Sequence, residues 1–139
     1  MNVLLVEPMR EPRAVQIESG LESLQKAVGE SIEAIYPFDA PVALITNGEG
    51  KIDGLPLNRA LRDEAGEIYD IMAGQFLVVG LGKENFSDLP PDMMEKYKKH
   101  FKNPEMFLRL GGRIVAVKCP VHEERKRKPA VRPLSNDAR

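Results

Sequence analysis

Residues 55–80 read LPLNRALRDEAGEIYDIMAGQFLVVG. Three runs within it, residues 60–62, 68–72 and 76–79, consist of aliphatic, β-branched and aromatic side chains apart from Arg62 and Asp70, the composition of strands. Asp63-Glu64-Ala65-Gly66 separates the first two with turn-forming residues, and Ala73-Gly74 separates the last two with a bulge or tight bend. The stretch therefore predicts an antiparallel meander. Asn58, Arg59, Arg62, Asp70 and Gly74 sit within or beside these core-forming runs, and charges beside a core need partners or a purpose.

Working outward, residues 3–6 form a short apolar run that ends at Glu7-Pro8, and residues 14–18 alternate apolar and polar side chains. The two read as an N-terminal hairpin. Ser19-x-x-Glu22 has the spacing of a capping box, and Leu21, Leu24 and Val28 follow on one helical face before Gly29. A helix over residues 21–28 is expected. Residues 32–38 and 42–46 are two further strand runs, broken by Pro37 and Pro41 and followed by the turn Asn47-Gly48-Glu49-Gly50. A second helix spans 91–101. Pro90 and Pro91 lie at its start, Met93, Met94, Tyr97 and Phe101 form its apolar stripe, and Lys98, Lys99 and Lys102 lie at its C-terminal end. Asn103-Pro104 stops it, and residues 107–110 and 113–117 form a closing hairpin around Gly111-Gly112.

This order predicts an α+β fold: a mainly antiparallel, twisted sheet with two short helices on one face, in a single domain over residues 1–121. Leu24, Val28, Ile45, Ile71, Leu77, Val79, Tyr97, Phe101 and Val115 are its expected core. Residues 122–139 hold six Lys or Arg against three carboxylates and few apolar groups, the composition of a flexible basic tail. They carry +3 and the remainder −4, for a formal net charge of −1. That balance gives no whole-molecule field toward nucleic acid or membrane.

Cys119 is the only cysteine, so no intramolecular disulfide can form, which fits a reducing cytoplasm. The N-terminus lacks a basic n-region, and no apolar run approaches the length of a membrane span. A cytoplasmic protein is expected.

The segments LESLQKAVGESIEAIYPFD, NGEGK and GLPLNRALRDEAGEIYDIMAGQFLVVG together resemble an uncharacterised family of small proteins from Gram-positive gut bacteria, their phages and conjugative elements. The family is catalogued as a domain of unknown function. The resemblance covers most of residues 1–118 and implies a cytoplasmic protein linked to mobile DNA. It implies no activity, cofactor or catalytic residue.

Tested against particular chemistries, the residues exclude more than they support. Cys119-Pro120-Val121-His122 has the spacing of half a zinc site, but no second pair of ligands exists beside the single other histidine, His100. No serine sits in a G-x-S-x-G elbow. Gly80-Leu81-Gly82 follows a strand, but Asn85 stands where the third glycine of a dinucleotide loop belongs. Glu67 and Asp70 are an odd number of residues apart and would face opposite sides of a regular strand. No metal, cofactor or catalytic group is expected.

The candidate ligand-binding residues are Asn58, Arg59, Arg62 and Asp70. Their guanidinium and amide groups could grip a phosphate, carboxylate or nucleobase edge. Alternatively the cluster is structural, with Asp70 pairing Arg59 or Arg62 across the hairpin and Asn58 capping a turn. The function expected is that of a non-enzymatic accessory protein of a mobile element or its host, binding a partner protein or a small anionic ligand. The alternative is a nucleic-acid-associated protein using the basic tail, where Arg125-Lys126-Arg127-Lys128 could touch phosphates.

Overall fold

Three unbroken apolar runs build the centre of the molecule, and in the computed structural model, which describes residues 1–120, each is a strand. They are Val3-Leu4-Leu5-Val6 in β1 (Asn2–Val6), Val42-Ala43-Leu44-Ile45 in β4 (Val42–Asn47) and Phe76-Leu77-Val78-Val79 in β7 (Phe76–Leu81). Strand β7 lies between the other two, antiparallel to both, with Val78 opposite Leu4 on one side and Leu44 on the other. The sheet is completed at its edges by β2 (Arg13–Gln16) beside β1 and β3 (Ile32–Ile35) beside β4, while the short β8 (Phe86–Ser87) pairs with the end of β7. Every pairing in it is antiparallel.

A strand alternates its side chains between two faces, so an unbroken apolar run needs both faces covered. Leu4, Val6, Val42, Leu44, Phe76 and Val78 pack on one face with Leu89, Met94, Tyr97 and Phe101, the last three belonging to α2 (Pro91–His100) and its C-cap. Val3, Leu5, Ala43, Ile45, Leu77 and Val79 pack on the other with Leu24 and Val28 of α1 (Leu21–Val28). The helices thus flank the sheet on opposite faces, which corrects the expectation of a shared face. The result is one small α+β domain in three layers.

The rest of the chain forms two antiparallel ribbons off the main sheet. One pairs β5 (Leu57–Arg62) with β6 (Ile68–Ala73), adding Leu61 and Met72 to the α2-side core. The other pairs β9 (Glu105–Leu110) with β10 (Arg113–Lys118). The expected meander therefore stops at β6. Gly74, at φ 81°, turns the chain away, and the Gly74 amide donates to the Pro56 carbonyl at 2.7 Å. Only the all-apolar β7 then enters the sheet centre.

Further corrections concern local detail. Gly20, at φ 112°, is the N-cap of α1 and no side chain caps it, so the Ser19–Glu22 capping box does not form. Ile71 is only partly buried and Val115 is 38% exposed, whereas the other seven expected core residues are buried. Both exceptions lie on the ribbons and not in the central sheet, whose two faces the helices cover. Strand β8 has no signature in the sequence, because two residues carry no periodicity. The proposed tail, residues 122–139, lies outside the described residues.

Tyr97 is 1% exposed, packed 4.8 Å from the Phe38 ring, and its hydroxyl has no hydrogen-bond partner among the described residues. Burial alone pushes its pKa upward. An unpartnered buried hydroxyl costs stability that a phenyl ring does not. Tyr97→Phe is therefore expected to hold or raise the unfolding free energy, by up to about 1 kcal/mol. Chemical denaturation of the two proteins checks it, and a loss above about 1 kcal/mol would show that the hydroxyl has a partner.

Candidate functional site

Strand β5 is irregular where the polar cluster begins. Its register against β6 shifts between Leu57 and Arg59, so two consecutive residues, Asn58 and Arg59, both turn inward and are fully buried. The Asn58 amide Nδ2 donates to the Val6 carbonyl at 3.0 Å and to the Gly74 carbonyl at 2.9 Å, while Oδ1 accepts from Arg59 Nη1 at 2.8 Å. Arg59 Nε and Nη2 both donate to the Phe101 carbonyl, at 3.1 and 2.9 Å, and Nη2 also donates to the Arg10 carbonyl at 2.6 Å. Phe101 is the C-cap of α2, so the cation lies at the negative end of that helix. Burial lowers the pKa of the guanidinium, and Glu105 opposes the shift.

These bonds tie the end of β1, the loop after it, the Gly74 bend and the end of α2 to β5. The partners are backbone carbonyls and one amide oxygen, and no part of Arg59 reaches solvent. Asn58 and Arg59 form a structural knot, although neither predicted structural partner is the one observed.

The other two candidates diverge from this pair. Asp70 does not meet Arg59 or Arg62; its Oδ1 accepts from Lys51 Nζ at 2.7 Å on an exposed surface. Arg62 makes a two-pronged pair with Glu105, Nη1 to Oε2 at 3.3 Å and Nη2 to Oε1 at 3.1 Å. Glu105 is 5% exposed and also accepts from the Ala60 amide. Sequence reasoning missed Glu105 and Lys51. The signal for Glu105 was present, since a carboxylate opening the strand EMFLRL is another charge beside a core.

Arg62 borders a cleft of about 310 Å³ whose walls include Phe38, Tyr69 and His100. Lys118, Asp63 and Glu64 complete its charged lining. With Arg62 paired to Glu105, two carboxylates remain against one ammonium. Burial lowers the His100 pKa, and Lys118, Lys96 and Arg62 add to the shift against an opposing Glu105. The imidazole is therefore uncharged at neutral pH. This charge balance does not make an anion cradle.

The β9–β10 ribbon carries a different surface. Its register places Met106, Leu108 and Leu110 on one face with Val115 and Val117. All five are between 38% and 58% exposed. A two-stranded ribbon is marginal without cover on a face, and this one leaves its apolar face open.

A three-layer antiparallel α+β domain with a saturated polar knot and an exposed apolar ribbon defines the class of protein. The chain belongs to the family described as Domain of unknown function (DUF3846), which matches residues 1–102. The match ends before β9. No curated protein and no solved structure matches the chain. Among the described residues, no group of three or more His, Cys, Asp or Glu could hold a metal ion, and no helix is long and apolar enough to cross a membrane.

Proposed function

We propose that this is a non-enzymatic accessory protein that binds a partner protein through the open face of the β9–β10 ribbon. The observation that carries the reading is the row of five exposed apolar side chains on that face. Exposed apolar patches of this kind mark interaction surfaces, and the ribbon lies beyond the family-matched span. The small anionic ligand is the weaker form of the reading, because the cleft beside Arg62 holds more unpaired carboxylate than ammonium. Cytoplasmic service to a mobile element or its host is part of the same proposal, supported by the resemblance and by the lone cysteine.

The test is a double substitution, Leu108→Ser with Val115→Ser. Both residues are partly exposed, so the melting temperature should move little, as for surface substitutions worth about 0.5 kcal/mol or less each. Tagged protein expressed in the native host should retain a stoichiometric protein partner, and the double variant should lose it. Equal retention by both, or no stoichiometric partner with either, would sink the reading.

A further inference from the structure

The net charge of −1 conceals a sharp segregation along the chain. Residues 1–95 hold seventeen carboxylates against seven Lys or Arg, whereas residues 96–118 hold seven Lys or Arg against the single carboxylate Glu105. That carboxylate is buried and paired with Arg62. The C-terminal half of α2 and the β9–β10 ribbon therefore present a positive surface on an acidic body.

Five of these cations, Lys96, Lys99, Arg109, Arg113 and Lys118, are exposed. Their placement is not scattered. Lys118 and His100 line the same cleft, and Lys118 and Lys96 both act electrostatically on His100, so the end of α2 and the base of the ribbon meet there. The β9–β10 register puts Arg109 on the same ribbon face as Lys118, about 14 Å further along at strand spacing. Arg113, opposite Leu110, starts from the other ribbon face, but at the ribbon tip beside Gly111-Gly112. Asp63 and Glu64, on the cleft, bound the positive region with opposite charge.

We infer that Lys96, Lys99, Arg109, Arg113 and Lys118 form a sequence-independent binding surface for the phosphate backbone of duplex nucleic acid. Extended rows of cations match the regular charge of a duplex, and release of its condensed counterions drives such binding. A single strand would be gripped by stacking on exposed aromatic rings. Here Tyr97 and Phe101 are buried and Phe107, the aromatic residue of the ribbon, is partly buried, while the exposed Tyr69 lies on the cleft with Asp63 and Glu64, so the ribbon's row of cations offers no exposed ring to stack on. The inference differs from binding through the basic tail, because it rests on the folded part of the chain. It is also independent of the partner-protein reading: Leu108→Ser with Val115→Ser should leave duplex binding unchanged.

Fluorescence anisotropy of the full chain with a labelled duplex of arbitrary sequence, titrated between 50 and 200 mM salt, tests it. If four of the five cations each neutralise one phosphate, the log–log salt slope is about −3.6 and affinity falls roughly 150-fold over that range. Arg109→Gln with Lys118→Gln should cut the slope to about −1.8 and the fall to roughly 12-fold, and so should Lys96→Gln with Lys99→Gln. A third variant changes Arg125, Lys126, Arg127 and Lys128 to Gln, and it should retain a clear salt-dependent affinity. The inference is overturned if no binding is seen, or if the tail variant alone abolishes it while both surface pairs behave as wild type. Tighter binding to a single strand of the same length, or equal binding to phosphatidylserine vesicles, would also overturn it.

Discussion

Arg59→Ala is expected to lower the unfolding free energy by about 3–5 kcal/mol, the largest loss in the candidate cluster. The substitution leaves the Phe101 carbonyl and the Asn58 side-chain oxygen without their donors in the buried interior, and removes a donor from the part-buried Arg10 carbonyl. It also empties the volume of a fully buried side chain, which adds a cavity cost. Some of the loss is offset because a desolvated cation disappears, and burial already lowers the Arg59 pKa. Two comparisons isolate the cause. Arg62→Ala leaves a largely buried Glu105 carboxylate without its forked partner, at about 1–3 kcal/mol. Asp70→Asn weakens an exposed pair with Lys51 and should stay within about 0.5 kcal/mol. Urea denaturation of the three variants should give this descending order. An Arg59→Ala protein as stable as wild type would show that the knot is not structural.

Gly80→Ala should be nearly as damaging, at about 3 kcal/mol. The reason is space: a Cβ at position 80 would lie 2.1 Å from the Asp88 carbonyl oxygen and 3.0 Å from its carbon. These are backbone atoms held on two sides. Gly80 pairs with Val42 of β4 and with Ser87 of β8, and the Leu89 amide donates to the Asn2 carbonyl at 2.8 Å. The segment leading into α2 can move aside only by breaking those bonds. Gly66→Ala is a useful control, because its added Cβ meets nothing within 4 Å and its cost arises only from φ 84°. Thermal melts should place Gly80→Ala well below Gly66→Ala. Equal melting temperatures would mean that the β8 segment yields freely.

The Gly80 result bears on how the chain is read. Gly80-Leu81-Gly82 resembles the start of a dinucleotide loop but lacks its third glycine, with Asn85 in that place. In the folded protein Gly80 is small so that the β8 segment can pass close to β7.

Much of the architecture was legible from local pattern. The strand runs, the spans of both helices and the turn at residues 63–66 follow from side-chain periodicity and turn chemistry, which act over a few residues. Asp63 Oδ1 accepts the Ala65 and Glu67 amides, a purely local reason for an Asp at that turn. The unbroken apolar character of residues 3–6, 42–45 and 76–79 also stated that both sheet faces would be covered, and so that the helices would lie on opposite sides.

The sequence by itself determined the α+β class, the antiparallel strands and the position of a polar cluster beside the core, because these depend on residue type and short spacing. Tertiary structure alone decided what the cluster does. Arg59 meets a carbonyl 42 residues away and Arg62 meets a carboxylate 43 residues away, and no local rule pairs groups at such separations. A one-residue register shift in β5 turned Asn58 and Arg59 inward together, and long-range packing, rather than their identity, determines whether a guanidinium faces a ligand or the backbone.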